Sequence, residues 1–375
     1  MKILWTLTNP WKNHRWEEMF LDLSRHREIS HVYVLERSYD ILTYPIRGIK
    51  KILPPPIPLL QPINPKLTVI RFPLLYPEKL RANKYAMKLL TNWLKPLFSY
   101  TKPHISVISS PYHIPVAIGS KLSGAKTIYF VYDEITYTEE GIPNQTAMFF
   151  EKTLMQFVDT IVVTTHILKI PREKYQKPIY VRPNGTNTTL WRLPHEEPAF
   201  LKDIPKPRIV FHGHVGPWID HEIFIELAQH LPHVNFIIIG KLSGDASKLE
   251  NINLPNLHFI KFKPKEEVAA AVQHCDIALM PFKTNNKFSV AINPLKLYEA
   301  LAAGVPTIIS DLPSVPKGPG VFIYRSKEDI YKYIDQILEN PISKEKISRF
   351  GQQWDWNKIN RQMIRIMGGT INEKV

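Results

Sequence analysis

The stretch Ala291-Ile292-Asn293-Pro294-Leu295-Lys296-Leu297-Tyr298-Glu299-Ala300-Leu301-Ala302-Ala303-Gly304-Val305-Pro306 reads as a short helix bracketed by its own chemistry. Asn293 suits the N-cap, Pro294 the first helical position and Gly304 the C-terminal cap, which predicts about ten helical residues. The amino end of such a helix presents free backbone N–H groups and a partial positive charge, a ready site for a phosphate. Lys296 adds a cation in the first turn, where the helix dipole disfavours one; a bound anion would remove that conflict. The structural alternative leaves Lys296 snorkelling to solvent. Glu299 follows on about the same face and can accept hydrogen bonds from vicinal hydroxyls such as those of a ribose. Alternatively, Tyr298 and Glu299 are surface residues above a Leu/Ala core stripe.

Strand-like runs flank this helix and recur in both directions. The second half predicts strands at Arg208 to His212, Asn235 to Ile239, Leu257 to Ile260, Asp276 to Met280, Thr307 to Ile309 and Val321 to Tyr324. Helical patterns near Ile219 to His230, Lys265 to His274 and Lys327 to Glu339 alternate with them. The first half repeats the rhythm, with strands at Lys2 to Leu7, His31 to Leu35, Ile105 to Ile108, Thr127 to Tyr132, Thr160 to Val163 and Ile179 to Arg182. Its helices fall near Arg15 to Arg25, Glu78 to Lys95, Ile114 to Leu122 and Asn144 to Phe157. Alternation of this kind predicts an α/β chain of two doubly wound parallel-sheet domains. The expected division is 1–191, a polar Pro-rich linker at 192–207, 208–352, and a terminal segment 353–375 returning to the first domain. Open parallel sheets bind ligands beyond the carboxyl ends of their strands, so the post-strand loops, facing a central cleft, are where function is expected.

Composition narrows the classes. The chain has 375 residues, 44% hydrophobic and 22% charged, which is globular composition. No apolar run is long enough to cross a bilayer, no signal-peptide core follows Met1, and the single cysteine, Cys275, has no internal partner, so a cytoplasmic setting is expected. The formal net charge is +14, and 14 Lys and Arg against only Asp40 and Glu78 lie between Arg37 and Lys126. That window holds the Pro-rich run Leu53 to Pro62 and the basic helical stretch Glu78 to Lys95 with Trp93. The helix suits an anionic membrane surface, or equally a solvated face of its own domain. Nucleic acid is not expected as a partner, because net charge alone supports it and no zinc-finger, RNP-like or basic-heptad pattern is present.

Three ordered motifs resemble the GT-B fold glycosyltransferases related to family 4, especially the branch that includes teichuronic-acid and glucuronosyl transferases. The helix above is similar to that family's donor-binding helix, N-P-x-K-x-Y-E-x-L-A-x-G-x-P. Asp159 to Thr165 followed by Tyr180-Val181-Arg182-Pro183-Asn184-Gly185-Thr186-Asn187 resembles the end of its first domain. Phe211-His212-Gly213-His214-Val215-Gly216-Pro217-Trp218 resembles the glycine-bearing turn opening its second. The resemblance implies two Rossmann-like domains in a GT-B arrangement and transfer of a sugar from a UDP- or GDP-type nucleotide-sugar donor. It implies that Glu299 holds the ribose, that Asn293, Pro294, Leu295 and Lys296 face the diphosphate and sugar, and that Gly213 and Gly216 let the donor approach. The second glutamate usual in that family is here Ala291, and its Asp is Asn187. No Arg and Lys pair follows the glycine turn. Diphosphate binding is therefore expected to lean on Lys296, helped by Lys241, Lys283 or Lys287. These departures leave retaining and inverting transfer both open; the glucuronosyltransferase of xanthan assembly, an inverting relative, also uses a lysine near this place.

On the acceptor side, the loop after the first strand, Thr8 to Trp16, is aromatic and basic, so Trp11, His14 and Arg15 are acceptor-binding candidates. Ser110 follows another strand and is a further candidate. Asp133 and Glu134 place two carboxylates at a strand's carboxyl end; in inverting transfer one must deprotonate the acceptor hydroxyl, with Asp133 preferred. Helix capping is the plainer role for such a pair. No metal-ligand spacing is evident, so no cofactor beyond the donor itself is expected. A glycan or lipid-linked acceptor, with peripheral placement at the inner membrane face, completes the expectation. An epimerase or hydrolase of the same fold, or a scaffold that keeps the fold without turnover, are the competing readings.

Overall fold

In the computed structural model, which describes residues 1–9, 11, 16–36, 59–71 and 84–368, the chain forms two compact units. The first takes in Met1–Thr136, Asn144–Arg182 and the residues from Asn360; the second takes in Tyr137–Pro143 and Pro183–Ile359.

The first unit is built on an eight-stranded sheet: β1 (Lys2–Thr6), β2 (His31–Leu35), β3 (Leu59–Asn64), β4 (Leu67–Arg71), β5 (Ile105–Ile108), β6 (Lys126–Val131), β7 (Thr160–Val163) and β8 (Ile179–Val181), in the order β3-β4-β2-β1-β5-β6-β7-β8. All pairings are parallel except β3 with β4. Buried on both faces, the inner strands read as apolar runs. Helices α1 (Glu17–Arg25), α2 (Lys84–Trp93), α3 (Lys95–Thr101), α4 (Ile114–Leu122), α5 (Gln145–Leu154) and α6 (His166–Lys169) complete the unit. Trp5 packs edge-on to Phe20 and Phe130 at 5.3 and 5.5 Å.

The second unit starts with α7 (Thr188–Arg192) and carries a six-stranded, all-parallel sheet. Its strands are β9 (Arg208–Val215), β10 (Asn235–Leu242), β11 (Leu257–Lys261), β12 (Ile277–Met280), β13 (Thr307–Ser310) and β14 (Val321–Tyr324), in the order β11-β10-β9-β12-β13-β14. The connecting helices are α8 (Glu222–His230), α9 (Lys265–Gln273), α10 (Leu295–Ala302), α11 (Lys327–Glu339) and α12 (Lys344–Gly351). From β9 the chain winds out to β11 and then returns to β12 on the other side of β9, so the switch point lies between β9 and β12. The last helix, α13 (Trp356–Gly368), starts in the second unit, and its residues from Asn360 belong to the first.

Two differences from the sequence reading have physical causes. β3 and β4 lie inside the Pro-rich, basic window and were not expected; β3 is an exposed, antiparallel edge strand that tolerates Pro62, with an irregular register between Pro62 and Asn64. Residues 192–207 are also no linker. Leu201 and Ile204 are buried in the second unit's core, and the Arg208 guanidinium binds the carbonyls of Ile204 and Leu201 at 2.7 and 2.9 Å. The segment packs with the second unit, so by contacts the boundary falls at Arg182/Pro183.

Candidate functional site

The helix that opened the reading is α10, and it begins beside the β9/β12 switch point of the second unit. Its start differs from expectation. Pro294 occupies the cap position, and the Asn293 side chain makes no cap bond. Instead the Asn293 carboxamide accepts from the Asn184 backbone at 2.7 Å and donates to the Tyr298 hydroxyl at 2.7 Å. Asn184 returns a bond to the Asn293 carbonyl at 2.9 Å, and Tyr298 stacks on Trp354 at 4.6 Å with the rings 8° apart. The helix entry is thus fixed by the Pro183-Asn184-Gly185 turn, leaving the first-turn N–H groups without a side-chain cap.

Lys296, in that first turn, lies over the end of β9. Its methylene stem covers Gly213: a Cβ there would come within 2.3 Å of Lys296 Cε, and Gly213 has φ +105°. The ammonium sits 5.6 Å from the Phe211 ring centroid. Neighbouring Gly240 has φ +142°, and a Cβ on it would meet the Gly213 carbonyl at 2.1 Å. The strand ends can approach this closely because Gly240 has no side chain, and the same lack at Gly213 makes room for Lys296.

Glu299 sits on the same helix, with its side chain 13% exposed. His212 Nε2 donates to its carboxylate at 3.0 Å, and Lys265 Nζ lies 3.6 Å away. Burial alone would raise the Glu299 pKa, but the His212 hydrogen bond and the charges of Lys265, His212 and Lys296 outweigh it and hold the group down at about 2. The site therefore keeps an ionised carboxylate at any physiological pH. His214, next along, bonds Ser243 at 2.7 Å; burial, Lys241 and Lys296 lower its pKa. Gly213, Lys296 and Glu299 thus converge, and Lys241 is near enough for its charge to act on His214.

The other donor-side candidates behave differently. Gly216 faces the Trp218 ring, which a Cβ would strike at 2.5 Å. Leu295 is the first residue of α10 and half-buried. Lys283 donates its backbone N–H to the Trp218 carbonyl, and its charge bears on His221. Sequence reasoning missed Asn184, His212 and Lys265 as site residues. Neither His212 nor Lys265 was legible as a partner of Glu299, since each reaches it from another element.

In the first unit, Glu134 is removed from the catalytic candidates. Its carboxylate accepts from Arg172 Nη1 and Nη2 at 2.9 and 3.0 Å and from the Thr136 hydroxyl at 2.5 Å. Arg172 also binds Glu151 at 2.7 Å, making a buried triad. Burial raises the Glu134 pKa, but Arg172 more than offsets this and lowers it. Asp133 is half-buried just beyond β6. Trp11 is 5% exposed and packs 5.8 Å from Phe20, so it belongs to the core rather than a sugar platform. Ser110 accepts from the Tyr112 backbone, capping the turn Pro111–His113. Thr6, Ser109 and His113 join by hydrogen bonds at the ends of β1 and β5, a cluster the sequence did not single out. His14 and Arg15 lie outside the described residues, as do 78–83 and most of the Pro-rich run. Among the described residues, no group of three or more His, Cys, Asp or Glu could hold a metal ion.

The chain resembles several known proteins. Residues 195–354 match the family of glycosyl transferases group 1. The teichuronic acid biosynthesis glycosyltransferase TuaH of Bacillus subtilis is 26% identical over 234 residues, which are 58% of this chain and 59% of that one. The match thus spans less than two thirds of that relative. Among solved structures, sucrose-phosphate synthase from Thermosynechococcus elongatus aligns over 98% of this chain and 99% of its own, with a TM-score of 0.72 at 14% identity. Anabaena HepE, solved with UDP and glucose, aligns over 99% and 100%, with a TM-score of 0.71 at 15% identity. The fold is that of the GT-B glycosyltransferases.

Proposed function

We propose that the chain is a glycosyltransferase that takes a sugar from a nucleotide-sugar donor and passes it to a glycan or lipid-linked acceptor. One observation carries the reading: an uncapped helix amino end, the Lys296 ammonium and the ionised Glu299 converge at the β9/β12 switch point. The donor diphosphate lies against the first-turn N–H groups of α10 and Lys296, and its ribose hydroxyls donate to Glu299. Charge that develops on the leaving diphosphate is met by fixed donors in place of a metal ion. UDP is the favoured nucleotide, since HepE was solved with it. In the first unit, Asp133 is the group proposed to deprotonate the acceptor hydroxyl in an inverting transfer. Among the described residues no helix is long and apolar enough to cross a membrane, and we place the enzyme in the cytoplasm.

Calorimetric titration of UDP and GDP, followed by transfer assays, tests this. Lys296→Ala is expected to weaken nucleotide binding about tenfold or more, a loss in keeping with one charge-assisted contact. Asp133→Asn should lower kcat with nucleotide affinity unchanged, and excess EDTA should leave transfer intact. Unaltered nucleotide affinity in Lys296→Ala would refute the site. Ala291, where the family that this helix resembles usually has a second glutamate, favours one alternative, a nucleotide-binding protein without turnover; product analysis with donor and acceptor separates the two.

A further inference from the structure

We propose that α2, α3 and the carboxyl end of α4, in the first unit, form a docking face for an anionic lipid bilayer. On α2, Tyr85, Leu89 and Trp93 follow one another a turn apart and are 68%, 57% and 39% exposed, while Leu90, and Leu94 just after the helix, are buried. Leu90 thus faces the core, while Tyr85, Leu89 and Trp93 keep much of their surface in solvent. The end of α2, α3 and the end of α4 border an open groove of about 540 Å³, lined by Phe98, Lys95, Lys102 and Leu122. Leu122 is 76% exposed. Lys88, Lys95, Lys102 and Lys121 are also exposed. From 79 to 132 the sequence has eight Lys and Arg and no Asp or Glu.

A negatively charged bilayer answers both features. Its headgroups pair with the ammonium groups, its interfacial layer accepts Tyr and Trp rings, and its acyl region receives Leu89 and Leu122. A nucleic acid would use the lysines but leave both leucines in water. The face is separate from the donor site, so its failure and the failure of the enzymatic reading are distinguishable.

The test is flotation of the full chain with vesicles of phosphatidylcholine alone or mixed with phosphatidylglycerol, at low and high salt. Binding is expected to be about tenfold stronger to the anionic vesicles and to fall with salt. Leu89→Ser with Leu122→Ser, and separately Lys95→Gln with Lys102→Gln, should each return binding to the neutral-vesicle level. Both pairs are exposed, so thermal unfolding and UDP affinity in solution should not move. Equal binding to neutral vesicles would overturn the proposal. So would undiminished binding of the leucine variant, which would mark the face as a general polyanion surface, for nucleic acid or lipid alike.

Discussion

At the scale of single residues, Glu299 shows how far chemistry can be read from order alone. Its place one turn after a lysine, on a helix opened by Asn-Pro, was legible; the His212 and Lys265 that hold it ionised were not, because they come from β9 and α9. The held charge has a pH consequence. With a folded pKa near 2 against an ordinary 4.5, the folded chain binds this proton less readily than the unfolded chain. The stabilisation is therefore whole above pH 4.5 and is lost as pH falls towards 2, worth up to about 3 kcal/mol. Glu299→Gln should be less stable than the parent at pH 7, and urea unfolding should find that gap about 1 kcal/mol narrower at pH 4. A gap independent of pH would mean the carboxylate is not held in this way. Glu134 teaches the converse lesson: two adjacent acids after a strand look catalytic, yet a guanidinium 38 residues on claims one of them.

At the scale of elements, that guanidinium ties three pieces together: the turn after β6, α5 through Glu151, and the 3₁₀ segment Ile170–Tyr175 that carries Arg172. Removing it leaves two buried carboxylates uncompensated. Arg172→Leu is expected to cost about 3–5 kcal/mol in chemical denaturation, while Arg172→Leu combined with Glu134→Gln and Glu151→Gln recovers much of that loss. A triple variant no better than the single would show that packing, not charge, makes the arginine necessary. Elements whose burial is regular were legible. The strands of the second unit and α8 to α11 follow their apolar period, and at α11 Ser326 with Asp329 also completes a capping box. What escaped were pieces whose role is set by distant neighbours: β3 on its exposed edge, short α7, and the Pro-punctuated 192–207 that packs although it reads as loop.

At the scale of the molecule, the first unit is discontinuous in sequence, since residues from Asn360 belong to it. Arg182, fully buried at the end of β8, donates to Asn360 at 3.1 Å, and Asn360 in turn donates to the Met19 carbonyl and to Asp22 at 2.9 and 2.8 Å. Burial pulls the Arg182 pKa down to about 9, so this guanidinium depends on what surrounds it. A chain truncated after Asp355 should lose amide hydrogen-exchange protection in β1 and β7 while β9 and β12 keep theirs. Retained protection in β1 would show that the terminal helix is dispensable. The same arrangement sets an order of events during synthesis. A ribosome releases β1 hundreds of residues before it releases the asparagine that bridges Met19 and Arg182, so the amino-terminal half must wait, incomplete, for Asn360 before it can close around its own buried arginine.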